Sequence, residues 1–279
     1  DPSNWEAFVR ALRQAGFEPT DVREIVITHY HSDHAGLLAR FVDENGCVVL
    51  GHEAHQHYTD AVLRPGEIAR ARERRARREG VPADRLPRYR TVREEYEGVL
   101  APVLPDRHLH EGDVIESALG PWRVLETPGH APSHIALWQR ERGLLLSGDL
   151  ITSVYAPYFD YGYSPDPVSE LDGSLVRVGA LEPAPVALPG HGRPIEDVQA
   201  VVAEWREGLR RDVDTVERAI AEAPGTAFEL LERIHGPADA AVDAPWLLTQ
   251  TMCYLRHLRL TGRIEREERD GIYRYRPPR

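Results

Sequence analysis

Four side chains that can bind metal ions lie within six consecutive positions of the stretch VITHYHSDHAG. They are His29, His31, Asp33 and His34. Neutral imidazole is the commonest protein metal ligand, and carboxylates complete many sites for divalent ions. His29 and His31 are two positions apart, so they face the same side of an extended segment. Asp33 and His34 follow on the turn, where the chain can aim them at a second point. The loop therefore predicts ligands for two adjacent metal ions.

Three further candidate ligands follow short apolar segments elsewhere in the chain. They are His130 in TPGH, Asp149 in LLLSGD and His191 in LPGHG. Each is flanked by glycine, which lets the backbone approach closely. A single histidine after a strand is usually an ordinary loop or core residue. However, burying this many polar groups without a metal would cost free energy for each, so we favour a metal site at one sheet edge.

The segments around these motifs alternate between helical and strand patterns. NWEAFVRALRQAGF and AGLLARFVDENG have the apolar spacing of helices, whereas EIVIT and CVVLGHE predict short buried strands. Further along, WRVLETPGH and SHIALWQRERGLLLSGD predict strands with a hairpin, DPVSELDGSLVRVGAL a helix and PVALPGHG a last strand. A long helix is predicted over about 196–223. This order predicts an α/β protein with functional groups at strand ends.

The C-terminal part has a different pattern. TAFELLERIHG and WLLTQTMCYLRHLRLTG predict two amphipathic helices, and RIEREERDGIYRYRP predicts a hairpin that turns at Asp270-Gly271. Two helices and a two-stranded wing predict a winged-helix module. We therefore predict a catalytic domain over residues 1–195, with an Arg-rich helical insertion at about 60–105. A linker helix and winged-helix domain would follow over 196–279.

Composition and charge argue against some classes of binding partner. The net charge of −11 argues against a general nucleic-acid coat, although residues 64–93 hold eleven Arg against four acidic residues. No apolar run approaches the ~20 residues that cross a bilayer, so we expect no membrane partner. Cys47 and Cys253 lie far apart in apolar surroundings, which predicts buried free thiols. With no secretory signal visible, we expect a cytoplasmic protein.

Taken in order, THYHSDHAG, TPGHAPSH, SGDL and LPGHG resemble the successive metal-binding motifs of the metallo-β-lactamase superfamily of hydrolases. The resemblance extends over about 21–194 and implies an αββα sandwich with two Zn²⁺ ions, although the same ligands can hold Fe or Mn. The implied ligands of one ion are His29, His31 and His130; those of the other are Asp33, His34 and His191, with Asp149 bridging. The resemblance also implies that a hydroxide shared by the two ions attacks the substrate, with Asp33 orienting it.

Family members begin with several strands before the helix that precedes the histidine loop. This sequence begins at that helix and without Met, so we expect an N-terminally incomplete fold with one sheet short of strands. The predicted winged helix is similar to the C-terminal domain of lactamase-β-2-like and glyoxalase-II-like hydrolases.

Other histidines near the motifs have simpler interpretations. His134 follows His130 by one helical turn, but we predict a packing or supporting role because seven ligands already complete the site. For His52, His55 and His57 we favour a helix start with exposed or pocket-lining side chains over a further metal site.

The leading hypothesis for the substrate is a small or carrier-linked thioester, ester or lactone. We expect Tyr155, Tyr158 and Tyr161, which follow Asp149 closely, to line the substrate pocket. The Arg-rich segment could grip phosphate or carboxylate groups, such as those of coenzyme A. A solvated helix with Glu–Arg pairs remains an equal alternative for that segment.

Two other functions stay open. The same chemistry cleaves phosphodiesters, so the chain could be an endoribonuclease acting on single-stranded RNA. The tail from Thr226 to Arg279 opposes this, because its nine Arg are balanced by eight acidic residues. A non-catalytic winged-helix regulator with a vestigial hydrolase domain is disfavoured by the intact ligand set. We expect the winged helix to serve packing or dimerisation, so a homodimer is a further expectation.

Overall fold

The computed structural model describes residues 2–90, 102–238 and 244–279. The helices in these ranges are α1 Pro2–Gln14, α2 Ser32–Ala35, α3 Leu38–Asn45, α4 Gln56–Leu63, α5 Pro65–Arg78, α6 Pro167–Gly179, α7 Val198–Glu222, α8 Ala227–His235 and α9 Ala244–Leu260. The strands are β1 Glu24–Val26, β2 Val48–Gly51, β3 Arg107–His108, β4 Val114–Ile115, β5 Trp122–Glu126, β6 Ile135–Gln139, β7 Leu144–Gly148, β8 Val186–Pro189, β9 Glu265–Arg269 and β10 Ile272–Arg276. Helix and strand alternate as predicted.

The strands form two sheets and a hairpin. A three-stranded sheet has the order β1-β2-β3, with both neighbouring pairs parallel. A five-stranded sheet has the order β4-β5-β6-β7-β8 and is antiparallel except for its last pair. Parallel neighbours within a sheet place equivalent strand ends at the same edge, where loops can meet.

The two sheets pack face to face, and helices cover their outer faces. Along β5, Val124 packs in a cluster with Leu50 of β2, whereas the next residue, Leu125, faces the core that contains α6 and α7. Such alternation is expected of strands buried on both sides. On the outer face of the small sheet, Val49 packs with Leu38 of α3 and Tyr58 of α4. The layers are therefore helix, sheet, sheet and helix, as the αββα expectation requires.

The C-terminal part contains the predicted order of two helices and a hairpin. The hairpin turns at Asp270 and Gly271, whose φ values of +52° and +77° suit a two-residue turn. Buried residues of α7, α8 and α9 join the same apolar core as the outer face of the large sheet. The division at residues 195/196 and the winged-helix assignment stay predictions.

The Arg-rich insertion is mostly helical up to residue 90, whereas its described residues 102–105 are not helical. α4, α5 and a short 3₁₀ helix, Leu86–Tyr89, account for most of residues 56–90, and the prediction for 91–101 lies outside the described residues. Cys47 and Cys253 are both free and buried, as predicted. Among the helices described, none has the length and hydropathy needed to span a membrane.

Candidate metal centre

The seven predicted ligands lie just beyond the ends of four strands. β1 is followed by the loop with His29 and His31, and the short helix α2 holds Asp33 and His34. The remaining three follow β5, β7 and β8: they are His130, Asp149 and His191. Because the strand ends meet at one edge of the sandwich, residues far apart in sequence come together there.

The first group consists of His29, His31 and His130. Each offers a ring nitrogen, and these atoms lie within 4.8 Å of one another. His130 Nε2 is 2.9 Å from His31 Nδ1. His29 is fully buried. Burial, followed by repulsion from neighbouring imidazoles, lowers the pKa of both His29 and His130 well below the usual value. These rings are therefore neutral, which is the form that binds metal.

The second group consists of Asp33, His34, Asp149 and His191, whose nearest ligand atoms also lie within 4.8 Å of one another. His191 Nε2 is 3.0 Å from Asp33 Oδ2 and 3.3 Å from Asp149 Oδ2. His34 Nε2 is 3.5 Å from Asp33 Oδ2. Asp33 and His191 are about half exposed, so this group forms the open side of the cluster.

The Asp149 carboxylate lies between the two groups. Its Oδ2 atom is 3.3 Å from His34 Nε2 on one side. On the other side it is 3.8 Å from His130 Nε2 and 4.0 Å from His29 Nε2. Burial by itself would raise the pKa of Asp149, but attraction by His34 and the other surrounding imidazoles outweighs it and lowers the pKa. An ionised carboxylate in this place can be shared by two cations.

The cluster contains buried polar atoms that no protein group satisfies. His29 Nε2, His34 Nε2 and Asp149 Oδ1 have no hydrogen-bond partner, although each is shielded from solvent. Leaving such groups unpaired is costly, and native proteins rarely do so without a ligand or water. Imidazole nitrogens and a carboxylate are the donors that Zn²⁺ and similar divalent ions take. The residues present therefore fit a metal centre.

Glycine residues next to the ligands allow the ligand side chains to lie close together. Gly190 precedes His191, and a Cβ atom at that position would collide with Asp149 Oδ1 and lie 2.6 Å from His34 Cε1. Gly148, with φ of +50°, would place a Cβ 2.7 Å from His134 Nε2. Side chains at these two positions would displace the cluster.

His134 lies outside both ligand groups. It is fully buried, and its ring contacts the backbone N–H of Asp149 on one side and the Thr127 hydroxyl on the other. This geometry agrees with the predicted supporting role.

Sequence reasoning missed Asp160, which contacts the first group from behind. Its Oδ2 accepts a hydrogen bond from His31 Nε2 at 3.0 Å, which leaves the Nδ1 lone pair of His31 facing the cluster. Burial would raise the pKa of Asp160, but His31 and His57 outweigh it and lower the pKa. The tyrosine-rich stretch YFDYGY has no spacing rule that marks its aspartate, so only the folded structure reveals this partner.

His52, His55 and His57 lie in two different places in the structure. His55 immediately precedes α4, as the helix-start prediction requires. His57 is buried, with its Nε2 3.8 Å from Asp160, so the exposed or pocket-lining position predicted for it is wrong. His52 Nε2 lies 3.4 Å from Glu126, and its Nδ1 accepts a hydrogen bond from the Ala54 N–H. His52, His110 and Glu126 offer ligand atoms that lie within 4.8 Å of one another.

A cavity of about 950 Å³ adjoins the metal centre. Of the three tyrosines predicted to line the substrate pocket, two line this cavity and one does not. Tyr158 and Tyr161 line it, and the Tyr158 ring lies 5.2 Å from that of His31, centroid to centroid. Tyr155 does not line it. Its hydroxyl donates to Asp212 and its ring packs on Trp205, both on α7. Packing against α7 turns Tyr155 away from this cavity.

Comparison with known proteins agrees with this geometry. A family model described as "Metallo-beta-lactamase superfamily" matches residues 1–191. The chain belongs to this superfamily. It is 33% identical to "Probable metallo-hydrolase YqjP" of Bacillus subtilis, over 84% of this chain and 75% of that protein. Membership identifies the chain as a metal-dependent hydrolase.

Two other superfamily members are informative. The crystal structure of a metallo-beta-lactamase family protein from Thermus thermophilus has a TM-score of 0.81 and 28% identity, and the match covers 98% of this chain and 85% of that one. The protein named "Acyl-coenzyme A thioesterase MBLAC2" of Gallus gallus is 32% identical over 60% of this chain and 55% of its own length. The metallo-β-lactamase fold is thus matched over nearly the whole chain.

Proposed function

We propose that the chain is a dinuclear zinc hydrolase that cleaves thioesters. The observation that supports two ions is the position of Asp149, whose single carboxylate lies within 4.0 Å of imidazoles from both ligand groups. The thioester class is supported by the similarity to the chicken acyl-coenzyme A thioesterase and by the large cavity beside the centre.

The residues of the metal centre have different roles in this proposal. His29, His31 and His130 would hold one ion, and Asp33, His34 and His191 the other, with Asp149 shared. When bound, the ions would polarise the thioester carbonyl and lower the pKa of a water molecule. Asp33 is the carboxylate of the cluster that is about half exposed, so it can orient that water and accept its proton. Attack forms a C–O bond, breaks the C–S bond and returns a proton to the departing thiolate.

The test combines metal analysis with a parallel substrate panel. Zinc-loaded protein is assayed with an acyl thioester, an ester, a lactone and single-stranded RNA, and its metal content is measured by mass spectrometry. We expect about two zinc ions per chain and preferred turnover of the thioester. Asp33→Asn should lower kcat by about 100-fold or more, the usual contribution of a proton-transfer group.

A matched control is Asp43→Asn, which removes an exposed carboxylate on α3 far from the ligands. It should leave both metal content and turnover unchanged. RNA cleavage that depends on Asp33, without thioester turnover, would replace this proposal by the endoribonuclease. Protein purified without chelator that neither contains nor binds metal would overturn it altogether.

A further inference from the structure

The cavity beside the metal centre has walls from parts of the chain that are distant in sequence. α4 and α5 of the Arg-rich insertion form one side, and the first half of α9 forms another. The segment 158–163 forms the wall toward the metal centre. In that wall, Tyr158 and Asp160 face the cavity and also contact His31. A ligand in the cavity therefore lies one layer of side chains from the metal ligands.

One face of α5 supplies positive charge to this cavity. Ile68, Ala71, Arg72 and Arg75 all line it, and their spacing places them on a single helical face. Such spacing shows that the two cations point inward together, whereas Arg74 is exposed on the other side of the helix. The insertion is thus more than a solvated helix.

Among the described residues, these two cations have no anionic partner at hydrogen-bond distance. In the described ranges, neither the Arg72 nor the Arg75 guanidinium forms an ion pair or a hydrogen bond. Two carboxylates line the cavity, and both are engaged: Asp60 pairs with Arg64, and Asp160 accepts from His31. No described carboxylate therefore pairs directly with either guanidinium, although Asp160 attracts Arg72 and Glu79 attracts Arg75 from a greater distance.

Partial dehydration makes this arrangement costly without a ligand. Both guanidinium groups belong to partly buried residues, and that of Arg75 lies over the Tyr161 ring, 4.6 Å from its centroid. Burial is the main influence that lowers the pKa of Arg75. Charges taken from water require a partner, and planar guanidinium groups suit carboxylate and phosphate oxygens.

Apolar side chains form another part of the cavity wall. Ile68, Phe159, Trp246, Leu248 and Met252 line it together with aromatic rings from the tyrosine-rich segment. A cavity of this volume, lined by both apolar and charged side chains, suits an organic ligand that has an apolar part and a charged part. The charged and apolar features define the chemistry of the occupant.

We propose that this cavity binds an amphipathic anion, a ligand with an apolar chain and a carboxylate or phosphate group. The anionic group contacts Arg72 and Arg75, and the apolar chain packs against Phe159, Trp246 and Met252. This inference rests on the proposed function, because it makes the ligand part of the thioester substrate. The anion belongs either to the acyl chain or to the thiol carrier.

Binding is tested by calorimetry on the zinc-loaded full chain with three probes: decanoate, uncharged decanamide and coenzyme A. Decanamide has the same apolar chain as decanoate without its charge. We expect at least one anion to bind, and Arg72→Gln and Arg75→Gln each to weaken that binding about 10- to 100-fold. Decanamide should bind wild type and variants alike. Tight binding of decanoate assigns the anion to the acyl chain, whereas tight binding of coenzyme A assigns it to the carrier.

Arg74→Gln is the matched control, because it removes the same charge from the opposite face of α5. It should leave all three affinities unchanged. Melting temperatures distinguish lost binding from misfolding: Arg72→Gln should leave the melting temperature unchanged, whereas Arg75→Gln also removes the contact with the Tyr161 ring and should lower it slightly. If Arg75→Gln unfolds, Arg75→Lys keeps the charge and should retain part of the affinity.

Two outcomes overturn the inference. In the first, the Arg72 and Arg75 variants bind the anions as tightly as wild type does. In the second, decanamide binds as tightly as decanoate, and coenzyme A does not bind. Failure of the proposed function is a separate result. Charge-dependent anion binding without thioester turnover would contradict the proposed function and support the anion site. Thioester turnover that is unchanged in the Arg72 and Arg75 variants would support the proposed function and contradict the anion site.

Discussion

The backbone N–H of Asp149 donates a hydrogen bond to Nε2 of His134, over 3.0 Å. Since Nε2 is the acceptor, the neutral His134 ring has its proton on Nδ1, which donates to Thr127 Oγ1 over 2.8 Å. Burial is the main influence that lowers the pKa of His134 to about 3, so the ring stays neutral at physiological pH. His134 thus fixes the backbone of the residue whose carboxylate lies between the ligand groups.

The first prediction follows from this pair. His134→Leu removes the acceptor of the Asp149 N–H and should weaken zinc binding about 10- to 100-fold, the usual cost of losing a group that orients a ligand. Competition with a chromophoric chelator measures the affinity. Thr127→Val keeps the acceptor and loses only its orienting partner, so its effect should be smaller. Equal zinc affinity in wild type and His134→Leu would contradict this role.

The second prediction concerns metal removal. Because His29 Nε2, His34 Nε2 and Asp149 Oδ1 are buried without partners, the metal-free state is strained by unpaired polar groups. Zinc at about 100 times its Kd should stabilise the native state by about 2.7 kcal/mol. We expect chelation to lower the melting temperature, and zinc to restore it. A melting temperature that does not respond to zinc would argue against a metal bound by these residues.

The third prediction compares two glycine substitutions. A Cβ at Gly190 would collide with Asp149 Oδ1, whereas a Cβ at Gly173, on α6, would meet nothing within 4 Å. Gly190→Ala should therefore reduce zinc content and turnover by at least about tenfold, by analogy with the cost of disturbing groups that support metal ligands. Gly173→Ala should leave both unchanged, and it should stabilise α6 by up to about 1 kcal/mol. Comparable zinc content in the two variants would contradict the steric argument.

The fourth prediction is a pH dependence of stability that originates at Glu79. This carboxyl group is buried, and burial raises its pKa to about 7 even though the Tyr275 hydroxyl donates to it. A carboxyl pKa raised in the folded state gives stability that is present below the unfolded value of 4.5 and is lost as pH rises through about 7.

Glu79→Gln should therefore stabilise the chain at pH 8 by about 3 kcal/mol relative to wild type, and by much less at pH 5. Urea unfolding at both pH values measures the difference. Glu222→Gln, at the exposed end of α7, is the control and should show no such trend. A gain at Glu79 that is the same at both pH values would show that the carboxyl group does not titrate as described.

The sequence predicts the metal centre better than its surroundings. Local rules place His29 and His31 on one extended segment, and the resemblance adds His130, Asp149 and His191; the structure brings all of these together. Asp160 could not be predicted, because its contact with His31 depends on how the segment 158–163 folds over α4. The packing of Tyr155 against α7 could not be predicted for the same reason, since only the tertiary structure decides which tyrosines turn toward that helix.

The cavity and the metal centre are built from different parts of the chain. The ligands follow β1, β5, β7 and β8, whereas the cavity is lined mainly by α4, α5, α9 and the segment 158–163. Substitutions on those helices can therefore change which substrate enters without altering the groups that perform hydrolysis. Selection, natural or in the laboratory, can redirect such an enzyme toward new substrates by successive changes on α5 and α9 while its reactive centre stays constant.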